Sequence, residues 1–180
     1  MTQVFTADGK PFFPIGAQAC NSSGNNEAEW ATAFKAIEIL HGNTLEIPIY
    51  WEQIEPQEGH FDFSVVDDLL FHARLQEIKL VLLWFATWKN GKMNYAPAWV
   101  KTDPQRFRRV VTPSGKQIFV LSSHCPANFA ADCSAFSALC AYLKDVDGAD
   151  HTVIALQVEN EPGILGCDRD YGRDGDADFQ

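Results

Sequence analysis

Two glutamates with a single asparagine between them are the residues of this chain best suited to chemistry. Glu159, Asn160 and Glu161 follow the β-branched and apolar run 152–158 and precede Pro162-Gly163. That pattern predicts a buried strand that ends by presenting carboxyl groups at a turn. A carboxyl group held at a fixed turn can act as a general acid or base.

The two glutamates are expected to have different roles. Glu161 is the candidate proton donor, because Pro162-Gly163 would hold its loop in a fixed turn, and Asn160 is suited to hydrogen-bond a sugar hydroxyl. Hydrolysis of a glycosidic bond usually takes two carboxyl groups. Glu159 is predicted to point elsewhere by strand alternation, in a supporting role or a salt bridge. The stretch also fits a strand exit without catalysis, and spacing alone leaves both interpretations open.

The elements that must position these residues are predicted to be strands alternating with helices. Trp30, Phe34 and Ile37 recur at intervals of three and four, which is the pattern of a helix with one buried stripe. The run Lys79–Phe85 is apolar on consecutive positions, which is typical of a parallel strand covered on both faces. A long irregular segment is expected over residues 87–127. The predicted strands are 12–17, 44–51, 79–85 and 152–158, and the predicted helices are 27–40, 64–75 and 128–143.

The alternation favours an α/β fold with a parallel sheet, either doubly wound or closed as a (β/α)8 TIM barrel. No Gly-x-Gly-x-x-Gly or phosphate-binding loop follows a predicted strand, which argues against a nucleotide-binding doubly wound fold. Polar and aromatic residues instead follow every strand, as expected at the rim of a barrel, where active sites are built. These residues are Gln18 and Asn21, Trp51 and Glu52, Thr87 and Trp88, and Asn160 and Glu161.

The length of the chain predicts only part of a barrel. A complete barrel needs roughly 250 residues, whereas these 180 residues provide about the first four strand-helix units. We therefore expect residues 1–180 to be the N-terminal half of a single barrel domain. Such a half leaves strand edges unpaired, so it is expected to need the missing C-terminal half, or a partner, to complete it.

Composition restricts the possible partners. The net charge of -10 repels phosphate backbones and anionic lipid surfaces, so neither nucleic acid nor a membrane is an expected partner. No apolar run approaches the roughly 18 residues of a membrane span, and residues 1–5 lack the features of a signal peptide, which leaves the localisation open. The 13 Phe, five Trp and four Tyr suit a neutral ligand with flat apolar faces, such as a sugar, although most rings are expected in the core.

Neither a metal nor another cofactor is predicted. The five cysteines lack the close paired spacing of a zinc site. The tail from Asp168 to Asp178 has the alternating Asp spacing of a calcium loop, but it lacks the Gly and the Glu that such a loop requires. A solvated, acidic chain end is therefore expected.

Several stretches together resemble glycoside hydrolase family thirty-five, the retaining β-galactosidases, and in particular a bacterial branch of that family. The resemblance runs from about Gly9 to Tyr171 with matched order and spacing. It is carried by Gln157-Val158-Glu159-Asn160-Glu161, by Asn43-Thr44, Tyr50-Trp51, Glu55-Pro56 and Gly59-His60-Phe61-Asp62-Phe63, by Ala96-Pro97-Ala98-Trp99, and by Leu82-Leu83-Trp84-Phe85 with Thr87-Trp88-Lys89-Asn90.

The resemblance implies a (β/α)8 barrel with an acid/base Glu on strand four, preceded by Asn, and a nucleophilic Glu on strand seven. By position, Glu161 is the acid/base and Asn160 the contact to a sugar hydroxyl, whereas the nucleophile has no counterpart in these residues. Trp51 and Trp88 are expected either to stack on a sugar or to pack against their own loops. The chain departs from better-known members at Thr87, where they carry Glu, and at Pro48, where they carry Tyr. Both positions normally contact galactose.

The expected function is therefore that of a retaining β-glycosidase, and first a β-galactosidase that acts on terminal β-galactosides of oligo- or polysaccharides. Glu161 is the expected acid/base, and Asn160, Trp51, Thr87 and Trp88 are the expected substrate-binding residues. Two alternatives stay open. One is a non-catalytic, carbohydrate-binding partial barrel without a nucleophile, and the other is a related barrel β-glycosidase with a different sugar specificity. The isolated 180-residue chain is expected to be inactive.

Overall fold

The structure, a computed structural model, describes residues 4–180; residues 1–3, which belong to the segment considered above for a signal peptide, lie outside it. Eight strands and six helices are present in this part of the chain. The strands are β1 Thr6–Ala7, β2 Lys10–Pro11, β3 Gly16–Gln18, β4 Thr44–Tyr50, β5 Lys79–Lys89, β6 Arg109–Val111, β7 Gln117–Leu121 and β8 Val153–Asn160. The helices are α1 Glu27–Ile39, α2 Trp51–Ile54, α3 Ser64–Leu75, α4 Ala98–Lys101, α5 Pro126–Asp147 and α6 Arg173–Phe179.

Four strands form one sheet in the order β3-β4-β5-β8, and a helix lies in the chain between each successive pair. Strand β3 pairs in parallel with β4, with Gly16 opposite Thr44. The close approach requires a glycine, because a Cβ at position 16 would lie 1.7 Å from the carbonyl oxygen of Thr44. Two antiparallel hairpins, β1-β2 and β6-β7, stand outside this sheet. The sheet therefore follows the alternation that the sequence predicts.

The chain divides into two compact units, and the first comprises the residues up to Ile49, Phe63–Leu83 and Ala141–Gln157. Its core contains the predicted stripe of α1, in which Trp30, Phe34 and Ile37 are almost completely buried. Helix α1 begins where Asn26 caps it, because the Asn26 side chain accepts a hydrogen bond from the Glu29 N–H at 3.1 Å.

The start of β8 is anchored within this first unit by a buried carboxylate. Asp147, at the end of α5, accepts hydrogen bonds from the N–H groups of Thr152 at 3.0 Å and Val153 at 2.8 Å. Arg74 pairs with the same carboxylate at 2.8 Å. Burial alone would raise the pKa of Asp147, but the hydrogen bonds from Val153, Thr152 and Arg74 outweigh burial and lower it. The turn from α5 into β8 is thus fixed by an ionised side chain.

The second unit comprises Tyr50–Asp62, Trp84–Cys140 and Val158–Gln180. Its core is rich in aromatic rings, and Trp51, Trp84, Phe85 and Phe107 are among its fully buried side chains. The segment 87–127, predicted to be irregular, instead contains the end of β5, the short helix α4 and the β6-β7 hairpin.

Two strands differ in their bounds from the predicted ranges. The first sheet strand is Gly16–Gln18, later than the predicted run 12–17, and Phe13 is exposed. The side chain of Asn43 explains this difference, because it bonds the N–H of Ile15 at 2.8 Å and the carbonyl of Phe13 at 3.0 Å and so holds that run outside the sheet. Strand β5 extends to Lys89, so that Thr87 and Trp88 lie within the strand and not after it.

The prediction of a solvated acidic tail holds for Asp168 and Asp178, which are exposed, but it was wrong for Asp170. Asp170 is 2% exposed and accepts hydrogen bonds from the Ser122 hydroxyl at 2.5 Å and the Val111 N–H at 2.9 Å. Two aspartates of α6 form ion pairs, Asp174 with Arg108 and Asp176 with Arg169, and Asp178 is hydrogen-bonded to His124. Across residues 4–180 no cluster of His, Cys, Asp and Glu side chains is arranged to hold a metal ion. Nor does that part of the chain include a helix long and apolar enough to cross a membrane.

Candidate active site

The end of β8 departs from regular strand geometry on both sides of Asn160. Glu159 has φ 62° and Glu161 has φ 51°, a left-handed conformation that is uncommon for residues other than glycine. In a regular strand, residues two apart would point to the same side of the sheet. Here the Glu161 side chain is exposed, whereas Glu159 is half-buried and lines a cavity of ≈ 210 Å³. The irregular backbone therefore places the two carboxyl groups in different environments.

Glu159 is held by strand β5 and helix α5. Its Oε1 accepts a hydrogen bond from the Thr87 N–H at 3.0 Å, and its Oε2 accepts one from the Trp88 N–H at 2.7 Å. The side chain of Glu159 also hydrogen-bonds that of Asp132 on α5. Asp132 in turn accepts hydrogen bonds from the Thr87 hydroxyl and from Trp84 Nε1, the latter at 3.0 Å. The predicted supporting role fits these contacts.

Two hydrogen-bonded carboxyl groups must hold a proton between them. Burial and the neighbouring Asp132 raise the pKa of Glu159 to about 9, although the N–H groups of Trp88 and Thr87 favour its ionised form. The Glu159–Asp132 pair is therefore expected to hold one proton at neutral pH.

Asn160 is held by a buried lysine. Lys89, the last residue of β5, is 5% exposed, and its ammonium donates to Asn160 Oδ1 at 2.5 Å and to Asn90 Oδ1 at 2.6 Å. The same ammonium lies 4.8 Å from the centre of the Phe85 ring. Thr87 and Trp88 bind Glu159, and Lys89 binds Asn160. Three consecutive residues of β5 therefore hold two consecutive residues of β8.

Of the other predicted binding residues, Thr87 and Trp88 lie beside this strand end. Thr87 is 5% exposed, and its hydroxyl is directed to Asp132. Trp88 is half-buried and lines the ≈ 210 Å³ cavity and also a second cavity of ≈ 400 Å³. The second cavity is lined by Ser123 and His124 and by the loop Pro162–Asp170. Trp88 Nε1 is buried and has no hydrogen-bond partner among the described residues, so the ring retains an unused donor.

Trp51 occupies a different position from the one expected of a stacking platform. It is fully buried, and its Nε1 donates to Glu55 at 2.8 Å. Its ring meets Trp99 edge-on, with centroids 5.8 Å apart. These contacts fit the alternative that Trp51 packs against its own loop, because this conformation presents no ring face to a sugar.

Sequence reasoning missed two residues of this site, Asp132 and Lys89. Asp132 lies in a helix whose sequence gives no chemical signal, and its role arises only from its contacts with Thr87 and Glu159. The sequence did contain a signal for Lys89. This lysine follows an apolar strand run, and a lysine that is buried at such a position is expected to have a specific partner.

The family model of glycoside hydrolase family forty-two, described as β-galactosidase, matches residues 21–180. This chain belongs to that family. The prediction of family thirty-five was therefore wrong, whereas the broader prediction of a β-galactosidase-like glycoside hydrolase is confirmed. Among curated relatives of this family-forty-two chain, a β-galactosidase of Xanthomonas manihotis is 28% identical over 183 residues, covering 96% of the chain and 27% of the relative.

Solved structures support the fold of the family-forty-two chain. The exo-β-1,4-mannosidase of Opitutaceae bacterium strain TAV5 is 18% identical with a TM-score of 0.61, over 88% of this chain and 27% of that one. The β-galactosidase of the psychrophilic Marinomonas ef1 is 15% identical with a TM-score of 0.59, over 83% and 22%. The predicted TIM-barrel fold is thereby confirmed, with about the first four strand-helix units present. The chain spans about a quarter of the length of these relatives.

Proposed function

We propose that the whole protein is a retaining β-glycosidase, and first a β-galactosidase that acts on terminal β-galactosides of oligo- or polysaccharides. In this proposal residues 1–180 form the N-terminal half of a single barrel domain, and Glu161 is the acid/base. The observation that carries the proposal is the exposed Glu161 at the end of β8, directly after the held side chain of Asn160. Membership of a family described as β-galactosidase supports the same reaction.

Glu161 would first protonate the leaving oxygen of the glycoside and then, as a base, activate the water that releases the sugar. Retention of the anomeric configuration needs a second carboxyl about 5 to 5.5 Å away. We propose that this nucleophile comes from outside these 180 residues, and that the isolated chain is consequently inactive. Asn160 would bind a sugar hydroxyl, with Trp88 and Thr87 beside it.

Glu159 is the competing candidate for the acid, because a raised pKa is typical of a general acid. Its contacts argue against that role. Both of its oxygens accept main-chain N–H groups of β5, and its side chain also hydrogen-bonds Asp132. A carboxyl group committed to the protein in this way is poorly placed to meet a leaving oxygen, so Glu161 is the better assignment.

The sugar is a separate question. One structural neighbour is an exo-β-1,4-mannosidase and not a β-galactosidase. A related β-glycosidase with another sugar specificity is therefore the second candidate. Comparing kcat/KM on aryl β-galactosides, β-glucosides and β-mannosides distinguishes the two.

The test of the catalytic assignment is Glu161→Gln in the whole protein. Loss of the acid/base is expected to lower kcat/KM for an unactivated β-galactoside by roughly 10² to 10⁴-fold. Azide should restore turnover of an activated aryl glycoside and give a product with retained configuration. Glu77→Gln, the same change at an exposed glutamate after α3, is the matched control and should leave the rate unaltered. Undiminished hydrolysis by Glu161→Gln would overturn the assignment.

A further inference from the structure

Lys89 is an unusual buried cation. A buried ammonium is normally neutralised by a carboxylate, because an unpaired charge is costly to remove from water. Within residues 4–180, however, the contacts of the Lys89 ammonium are the amide oxygens of Asn160 and Asn90 and the face of the Phe85 ring, and none is a carboxylate. Retaining a charge at such a position calls for a reason beyond packing.

The contact between Lys89 and Asn160 determines which way the Asn160 carboxamide faces. An ammonium group can only donate hydrogen bonds. The atom of Asn160 that lies 2.5 Å from Lys89 Nζ must therefore be the carbonyl oxygen. The amide NH₂ group then points away from the ammonium.

The main chain on either side of Asn160 is held as well. Glu159 is bonded to the N–H groups of Thr87 and Trp88, and the left-handed conformations of Glu159 and Glu161 fix the direction in which Asn160 projects. Lys89 thus sets the rotation of a side chain whose backbone is already fixed, immediately before the proposed acid/base.

We propose that Lys89 is a positioning residue that turns the carboxamide nitrogen of Asn160 toward the substrate, so that Asn160 donates a hydrogen bond to one hydroxyl of the sugar being cleaved. This inference rests on the proposed function. It assigns a direction to the contact: the hydroxyl accepts, and an amide donor that strengthens its bond in the transition state raises kcat more than it lowers KM.

The first variant is Lys89→Met, which keeps an unbranched side chain, one heavy atom shorter, and removes its donors. We expect kcat/KM for an aryl β-galactoside to fall about tenfold, mostly in kcat, as for the loss of one hydrogen bond of about 1 kcal/mol or slightly more. Asn160→Ala should lower kcat/KM at least as much. The double variant should be no worse than Asn160→Ala alone, because the two residues act through one contact. Losses that instead multiply would overturn the proposal.

Substrates that lack single hydroxyls give the decisive readout. On the monodeoxy galactoside that lacks the contacted hydroxyl, the wild type and Lys89→Met should have equal kcat/KM, whereas the other monodeoxy substrates should retain the tenfold difference. A difference of equal size on every deoxy substrate would mean that Lys89 acts only on the structure, and the proposal would be wrong.

Asn160→Asp tests the direction of the bond without removing the buried cation. Its carboxylate would pair with Lys89, so the variant is expected to fold, but it has no N–H to donate. Its kcat/KM should fall as far as that of Asn160→Ala, and a wild-type rate would show that the hydroxyl donates and would overturn the inference. Glu161→Gln distinguishes a failure of this inference from a failure of the proposed function. If that variant is inactive while the Lys89 and Asn160 variants behave as the wild type, this inference alone fails; if it stays active, the proposed function itself fails.

Discussion

Replacing Glu159 by Gln should change both the stability of the protein and the way that stability depends on pH. In the wild type, each oxygen of Glu159 accepts one main-chain N–H, from Thr87 at 3.0 Å and from Trp88 at 2.7 Å. The glutamine amide has one acceptor oxygen, so one of these two N–H groups must lose its bond to residue 159. Either the Trp88 N–H is left unsatisfied, or the Thr87 N–H keeps only its longer bond to Asp132 Oδ2 at 3.3 Å. A buried unsatisfied donor costs about 1–3 kcal/mol. We therefore expect Glu159→Gln to lower the free energy of unfolding by that amount at pH 5.

The pH dependence follows from the proton that Glu159 and Asp132 hold between them. Its pKa is raised from the ordinary 4.5 to about 9 by burial and by Asp132, so between these values the folded protein binds more protons than the unfolded chain. The stabilisation is complete below pH 4.5 and is lost as the pH rises toward 9, at on the order of 1 kcal/mol per pH unit. The glutamine side chain of the variant cannot titrate, so the variant lacks this loss. Its deficit should disappear between about pH 6 and pH 8, above which it should be the more stable protein.

The measurement is urea denaturation of wild type and variant at pH 5, 6, 7 and 8, followed by tryptophan fluorescence. Glu161→Gln is the matched control, since the same chemical change two residues away affects an exposed side chain and should shift stability by less than about 0.5 kcal/mol. Asp132→Asn removes the second cause of the raised pKa but not burial, so it should reduce the pH dependence without abolishing it. A stability difference between Glu159→Gln and wild type that is the same at pH 5 and pH 8 would refute the reasoning.

Two further predictions concern the sheet. Gly16→Ala would bring a Cβ to 1.7 Å from the Thr44 carbonyl oxygen, and we expect it to cost more than about 2 kcal/mol of stability in urea denaturation; an unaffected midpoint would mean that β3 does not pair this closely with β4. Asp147→Asn leaves one of the Thr152 and Val153 N–H groups unsatisfied and should cost about 3 kcal/mol at pH 7. Because the pKa of Asp147 is lowered, the difference should persist down to its ordinary value of 3.8 and shrink as the pH falls further, and a difference unchanged at pH 2 would contradict it.

Local sequence patterns predict helices and strands well where buried residues recur at the regular spacing of a helix or a strand. Helix α1 ends within one residue of its prediction, because its apolar stripe and the turn after it are both local signals. The end of β5 was predicted four residues too early. Thr87 and Lys89 are polar, and they belong to the strand because of partners on β8 that lie more than 70 positions further along the chain.

In the candidate site too, local sequence patterns predict some features, and others depend on residues far apart in the chain. Glu161, Asn160 and Trp88 were identified because a strand that ends in such residues is a local pattern, and their roles stay predictions. The raised pKa of Glu159 depends on its burial and on Asp132, and no sequence period connects Asp132 to it. The strand-end motifs also identified the hydrolase class but not its family, which the match over residues 21–180 decides.

The left-handed backbone at Glu159 and Glu161 makes the orientation of the proposed acid dependent on contacts behind it. Each such residue stores strain of about 1–3 kcal/mol, which persists only while surrounding contacts enforce it. Without the hydrogen bonds from β5 to Glu159, residues 159–161 would be free to adopt regular strand geometry, in which residues two apart share a face. Glu161 would then turn to the side of Glu159, away from solvent. The hydrogen bonds of Glu159 thus maintain the exposed orientation of the proposed acid. Their loss would reorient Glu161 through the backbone, without any change to Glu161 itself.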